Sequence, residues 1–163
     1  MSRVVHWSFQ GPVSEIPFDP SLRKATTMMK MVVAGLSHIS QSLEITSLQQ
    51  GEVSTFLGSM HGEIEPTLNY LKGLAQSDRA RPFLFQNSLH HSTTGFASQK
   101  FHWIGPAYSL CCIHEPQREI LQAALMQSRP DEPLLMIHCE SFPEELAKIS
   151  SYRPQDLCEV LFV

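Results

Sequence analysis

The chain has 163 residues, 42% of them hydrophobic and 17% charged, which suits one compact domain with a filled core and excludes a disordered tail. Twelve Lys and Arg against sixteen Asp and Glu leave a net charge of −4, without the basic surplus of a nucleic-acid binder. No apolar run reaches the roughly 18–20 residues of a membrane span, and residues 1–10 hold no stretch of signal-peptide length, so a soluble, cytoplasmic protein is expected.

In chain order, Asp19-Pro20-Ser21 predicts a helix start, because an Asp oxygen caps free N–H groups and Pro fits the first turn. Leu22, Ala25, Met29, Val32, Leu36, Ile39 and Leu43 then recur every three or four positions, predicting one long amphipathic helix. Gly51 breaks that pattern, and Val53 to Leu57 is strand-like. Gly58-Ser59-Met60-His61-Gly62 follows as a turn into a helix with Leu68, Leu71, Leu74 and Ala75 on one stripe. A nucleophile elbow would need Ser at the centre of this turn, where Met60 stands, so a close-packed loop is expected. The turn also lacks the residues of a phosphate loop or dinucleotide fingerprint.

Arg81-Pro82 interrupts again, and the apolar positions Phe85, Leu89, Phe96, Ala97 and Phe101 predict a helix from 85 to 101. Its other face holds Ser, Thr, Gln and His, with Lys100 as its one charge. Such depletion of charge fits either a helix inside the domain or one against another protein. Gly105-Pro106 ends it, Ala107 to Ile113 predicts a short buried strand, and Pro116 opens a helix carrying Ile120, Leu121, Ala124 and Leu125. After a turn at Arg129 to Pro133, Leu134 to Cys139 has the length of a central strand. Ser141 and Glu144 match a capping box ahead of Leu146 and Ile149. Leu157 to Val163 closes the chain as a strand, read as an edge because Glu159 lies in its middle. Strand and helix in alternation favour a mostly parallel sheet covered on both faces.

The four cysteines do not form a dense framework, and reduced thiols are expected. Cys112 and His114 would share a strand face and supply half a metal site, but no second pair at ligand spacing accompanies them. His90 and His91 on a helix would point about 100° apart and not chelate together.

The strings Asp19-Pro20-Ser21-Leu22-Arg23-Lys24-Ala25-Thr26-Thr27-Met28-Met29, Leu57-Gly58-Ser59-Met60-His61-Gly62-Glu63, Phe85-Gln86-Asn87-Ser88-Leu89-His90 with Gly95-Phe96, and Gly105-Pro106-Ala107-Tyr108-Ser109-Leu110 carry a family resemblance in their order and spacing. Over residues 19–141 the chain resembles the N-terminal half of β-ketoacyl synthases, in the divergent group called ketosynthase-like or chain-length-factor-like. The resemblance implies half of a thiolase-like fold, a three-layer α/β/α arrangement with a mostly parallel, mixed sheet. It also implies a single ketosynthase N-terminal-like domain over 1–163.

The departures from the family shape the functional expectation. In active members the strand after Gly-Pro leads to a nucleophilic cysteine at a helix N-terminus. Counting from Gly105-Pro106 places His114 there, with Cys111 and Cys112 three and two residues early and Glu115-Pro116 where small residues are usual. An anion beside a thiol raises its pKa. The family's two catalytic histidines belong to its C-terminal half, which this sequence does not include. The resemblance therefore implies a non-catalytic subunit, a pseudoenzyme of fatty-acid or polyketide-like biosynthesis, with no catalytic residue, metal or other cofactor. It would pair with itself or with a true ketosynthase through Phe85, Asn87, Leu89, His90, Phe96 and Phe101, in the region near the family's dimer interface. An acyl carrier protein is a further possible partner, for which Lys24, Lys30, Arg79, Arg81 and Lys100 would have to gather locally. The competing expectation is a thiol-dependent acyltransferase using Cys112 with His114 or His61.

Overall fold

The computed structural model describes residues 4–17, 19–43, 52–77, 79–129, 132–148 and 156–163. Five strands form one sheet in the order β1-β5-β4-β2-β3: β1 Val5–Gln10, β2 Ser54–Ser59, β3 Ala107–Cys111, β4 Leu134–Glu140 and β5 Leu157–Phe162. β2 pairs in parallel with both β3 and β4, while β5 runs antiparallel between β4 and β1. The helices are α1 Thr27–Leu43, α2 Ile64–Ser77, α3 Pro82–Asn87, α4 Ser92–Phe101, α5 Pro116–Gln127 and the short α6 Glu144–Ala147. The chain is α/β with a mixed sheet, as expected.

α1 lies across β1, β5 and β4 on one face of the sheet, with α4 against α1 and β3. α5 lies on the other face, over β2 and β4. Two cores result. Met31, Val32, Leu36, Ile39, Leu57, Ile137 and Val160 fill the α1 side, and Phe56, Cys112, Ile120, Ala124 and Met136 the α5 side. Burying each such aliphatic side chain contributes about 1.5–3 kcal/mol. α1 packs closely on the sheet at Gly35, where a Cβ would meet the Trp7 ring at 2.5 Å and Val160 at 2.7 Å.

Several expectations are corrected. Asp19 does cap, accepting from Ser21 N at 2.8 Å, but the turn it starts is a single 3-10 turn, Pro20–Leu22. α1 begins only at Thr27, after Thr26 Oγ accepts from Met29 N at 3.2 Å. The single helix predicted over 85–101 is two, α3 and α4, divided by a turn at residues 88–91 that carries His90 and His91. Leu71 is 53% exposed, so the stripe on α2 is not a buried one. β3 is an edge strand with both ends exposed, rather than buried. β5, in contrast, is not an edge. α6 is preceded by Pro143 without a side-chain cap, and buried Ser141 bonds to Asp156 instead of capping it. β1 went unread in the sequence, although Val5, Trp7 and Phe9 alternate cleanly with His6, Ser8 and Gln10. Gly51, Ile149 and the middle of the turn from Arg129 to Pro133 lie outside the described residues.

Candidate functional site

The carboxyl ends of β2, β3 and β4 meet at one end of the sheet, where α/β folds place their sites. Two features lie there, a polar hub centred on Glu140 and the turn between β3 and α5.

Glu140, the last residue of β4, is 7% exposed. It accepts from Ser59 Oγ at 3.0 Å, from Met60 N and from His61 N at 3.3 Å, and its Oε2 lies 3.0 Å from His61 Nδ1. On its other side His138 Nε2 stands 3.4 Å from Oε1, at ion-pair distance without hydrogen-bond alignment. Burial works against the charged carboxylate, yet these donors together hold Glu140 below the ordinary Glu value. Ser59 is fully buried and also accepts from Gly62 N at 2.8 Å. The segment from Gly58 to Gly62 is thus a close-packed turn, as expected, with Glu140 as its organiser. Gly62 takes φ +57°, and a Cβ there would meet His90 Nδ1 at 2.6 Å. Gly58 is similarly confined, since a Cβ would lie 2.5 Å from Ile120 and 2.8 Å from Cys112 Sγ.

The turn from Cys111 to Pro116 separates the two residues that a strand would have placed on one face. Cys112 follows the end of β3 and is 3% exposed, packed with Phe56, Ile120 and Ala124. His114 points to solvent as an exposed residue. Burial first, then Glu119, Glu140 and Cys111, push the Cys112 thiol up to about 11. The backbone of the turn is closed by Glu119, which accepts from Ile113 N at 3.1 Å, His114 N at 3.0 Å and Glu115 N at 3.3 Å. These amide bonds, led by that of His114, hold Glu119 below the ordinary Glu value. A carboxylate therefore occupies the amide nest at the start of α5. Among the described residues no group of three or more His, Cys, Asp or Glu is placed to hold a metal ion.

The residues expected at an interface divide by burial. Phe85 is 50% exposed and its neighbour Phe83 51%, whereas Asn87 is 7% exposed. Leu89, His90, Phe96 and Phe101 are half-buried. The buried side of α4 joins apolar Ala97 to two polar residues: Thr93 donates to Glu63, and Thr94 Oγ lies 2.9 Å from Ser109 Oγ on β3. Glu63 itself is 4% exposed and also accepts from Thr26 Oγ at 3.0 Å. Desolvation, only partly offset by these two hydroxyls, pushes its carboxyl up to about 7. Of the basic residues named for an acidic partner, Arg79 and Arg81 line one open hollow, while Lys100 is bonded to Asp19 and Ser21. Neither Glu63 nor Glu140 was singled out in the sequence; each is joined to its partners across 30 to 81 residues of chain.

No helix among the described residues is long and apolar enough to cross a membrane. No curated protein sequence matches the chain. Its backbone is similar to a chain in the structure of a ketosynthase (ApeO) in complex with its chain length factor (ApeC) from Xenorhabdus doucetiae. The TM-score is 0.70 at 18% identity, covering 91% of this chain and 62% of that one. The family model described as the β-ketoacyl synthase N-terminal domain matches residues 10–155. With that match spanning nearly the whole chain and the backbone agreeing, this protein belongs to the β-ketoacyl synthase family.

Proposed function

We propose that the chain is a non-catalytic ketosynthase-like subunit that associates with a ketosynthase in fatty-acid or polyketide-like biosynthesis. The observation that carries this reading is the β3–α5 turn. There His114, the residue that the family resemblance sets against the nucleophile, is exposed, and its amide is bonded to Glu119. The nearest buried thiol, Cys112, is held protonated by burial and by neighbouring anions, which also weighs against the acyltransferase reading. Association is supported by the exposed aromatics of α3, Phe83 and Phe85, and, separately, by the edge strand β3, which pairs on one side alone among the described residues. An acidic carrier protein would find Arg79 and Arg81 together at the foot of the same helix.

The test is co-purification of the chain with the ketosynthases of its own organism, with mass measured alone and in mixture. A defined complex that is lost with Phe85→Asp is the expected result. A chain that ignores every ketosynthase, or that alone joins a malonyl unit to an acyl thioester, overturns the proposal.

A further inference from the structure

Cys139 on β4 and Cys158 on β5 stand directly opposite one another in the antiparallel ladder. In such a ladder, opposite pairs alternate between those that exchange both backbone hydrogen bonds and those that exchange none. Leu134 and Val163 fix the phase, since each donates its N–H to the other's carbonyl at 3.1 Å. Two residues at a time along the unbroken register, the hydrogen-bonded pairs are then Met136 with Leu161, His138 with Glu159 and Glu140 with Leu157. Cys139 and Cys158 fall between these as a non-hydrogen-bonded pair. At such a pair the Cα atoms approach to about 4.5 Å and the side chains come closest. A disulfide spans Cα separations of about 4.4–6.8 Å, so it can bridge this position without moving the backbone.

The surroundings of the two side chains agree with the register. Both residues are 0% exposed and share the α1-side core with Leu36, Ile137 and Val160. Burial, then the Cys158 thiol beside it, raises the Cys139 thiol well above the ordinary cysteine value. Cys111 is exposed and Cys112 lies in the α5-side core, so neither competes for this pairing in the folded chain.

We propose that Cys139 and Cys158 are a dithiol–disulfide pair, oxidised by a small-molecule disulfide of the glutathione class to a staple between β4 and β5. One thiol gives up its proton, and its thiolate attacks the oxidant, forming a mixed disulfide and displacing one small thiolate. The second cysteine, likewise deprotonated, attacks the protein sulfur of that mixed disulfide and displaces the other. The two released thiolates take up the two protons, so the protein loses two electrons and the oxidant gains them. Both sulfurs are sealed in the core, so exchange takes place while the strands are apart, and the closed core then shields the bond from reductant. β5 is the strand through which β1 joins the sheet, so the staple fixes the antiparallel part of the sheet to the parallel part. The pair lies in β4, β5 and the α1-side core, and the proposal does not rest on the ketosynthase-partner reading.

The test compares the whole chain held unfolded in urea with the chain refolded from it, each equilibrated in glutathione buffers of graded oxidised-to-reduced ratio. Remaining thiols are then alkylated, and mass and peptide mapping identify the link, with trypsin cutting after Lys148 between the two cysteines. A link that fits the fold forms more readily in the folded chain by the same factor by which it stabilises the fold. For a closed loop of about 20 residues that factor is on the order of a hundredfold. The expected result is a Cys139–Cys158 link whose formation constant is higher by about that factor in the refolded chain than in urea. The oxidised chain should also unfold at a higher urea concentration than the reduced one, and Cys111→Ser, which removes an exposed thiol, should leave the link in place. Four free thiols in the refolded chain, at ratios that oxidise the unfolded one, overturn the proposal. So does a formation constant no higher than in urea, or a link made through Cys111 or Cys112 instead.

Discussion

Glu63 should make the stability of this protein fall as pH rises through neutrality. Its carboxyl is 4% exposed and faces the Thr26 and Thr93 hydroxyls, with a second carboxylate, Glu65, nearby. Desolvation raises it from 4.5 to about 7 in the folded state. Below about pH 4.5 the group is protonated folded and unfolded alike, and folding costs nothing extra. Between 4.5 and 7 the unfolded chain ionises while the folded one keeps its proton, so about 1.4 kcal/mol of stability is lost per pH unit. Above about pH 7 the loss levels off near 3 kcal/mol in total. Glu63→Gln keeps an acceptor for the two hydroxyls and removes the charge. Urea unfolding followed by circular dichroism at several pH values should place the variant close to wild type at pH 5. At pH 8 it should be more stable by about 2–3 kcal/mol. If the gap between the two proteins stays constant from pH 5 to pH 8, the reasoning about Glu63 is wrong.

Three more outcomes follow from the site's geometry. At pH 8 exposed Cys111 should react with iodoacetamide well before Cys112, whose burial and raised pKa leave about one thiolate in a thousand; comparable rates would contradict the protonated, packed thiol. Gly58→Ala should destabilise by about 1–3 kcal/mol in thermal unfolding, because its Cβ meets Ile120 and Cys112, and an unchanged midpoint would refute that packing. Ser59→Ala should cost about 1–3 kcal/mol by stranding Gly62 N and removing a donor from Glu140, and a neutral effect would show the hub to be dispensable.

Local signals in the sequence located most elements, and failed where the local signal and the tertiary environment disagree. The strand β4 opens on an apolar run, Leu134 to Ile137, and is buried on both faces, so length and composition sufficed; β2 is equally buried, and Val53, Phe56 and Leu57 marked it although Ser54, Thr55 and Ser59 are polar. The helix predicted over 85–101 failed because Phe85, Leu89, Phe96 and Phe101 keep a helical rhythm straight through a real turn. Of the buried residues of α4, Ala97 was marked by hydropathy, whereas Thr93 and Thr94 were not. β3 and β5 exchanged their expected places for the same reason. The charge of Glu159 suggested an edge, yet it sits partly buried on a central strand, while the apolar look of Ala107 to Ile113 hid an edge. At the candidate site, counting from Gly105-Pro106 draws attention to the turn that carries His114. That Glu119 closes the same turn was not legible, since a glutamate four residues on reads as an ordinary helix residue.

Glu63 and Glu140 show why burial alone does not decide what a carboxyl does here. Both are under 10% exposed, and in both desolvation is the largest influence on the charge. Glu63 has two hydroxyl donors and a like charge beside it, and stays mostly protonated to about pH 7. Glu140 gathers two backbone N–H groups, the Ser59 hydroxyl and His61, with His138 on its far side, and remains ionised. The difference is the number of donors that the chain turns toward each group. The ionised carboxylate ties the β2 turn to the end of β4, so it braces the sheet end against which α5 starts. The protonated one joins the start of α1 to α4, the helix that packs on the β3 edge. Charge is thus retained where it rigidifies the strand ends. Neutrality is retained where α4 is tied to the start of α1 by two hydroxyls, so the seating of α4 should loosen as pH rises through about 7.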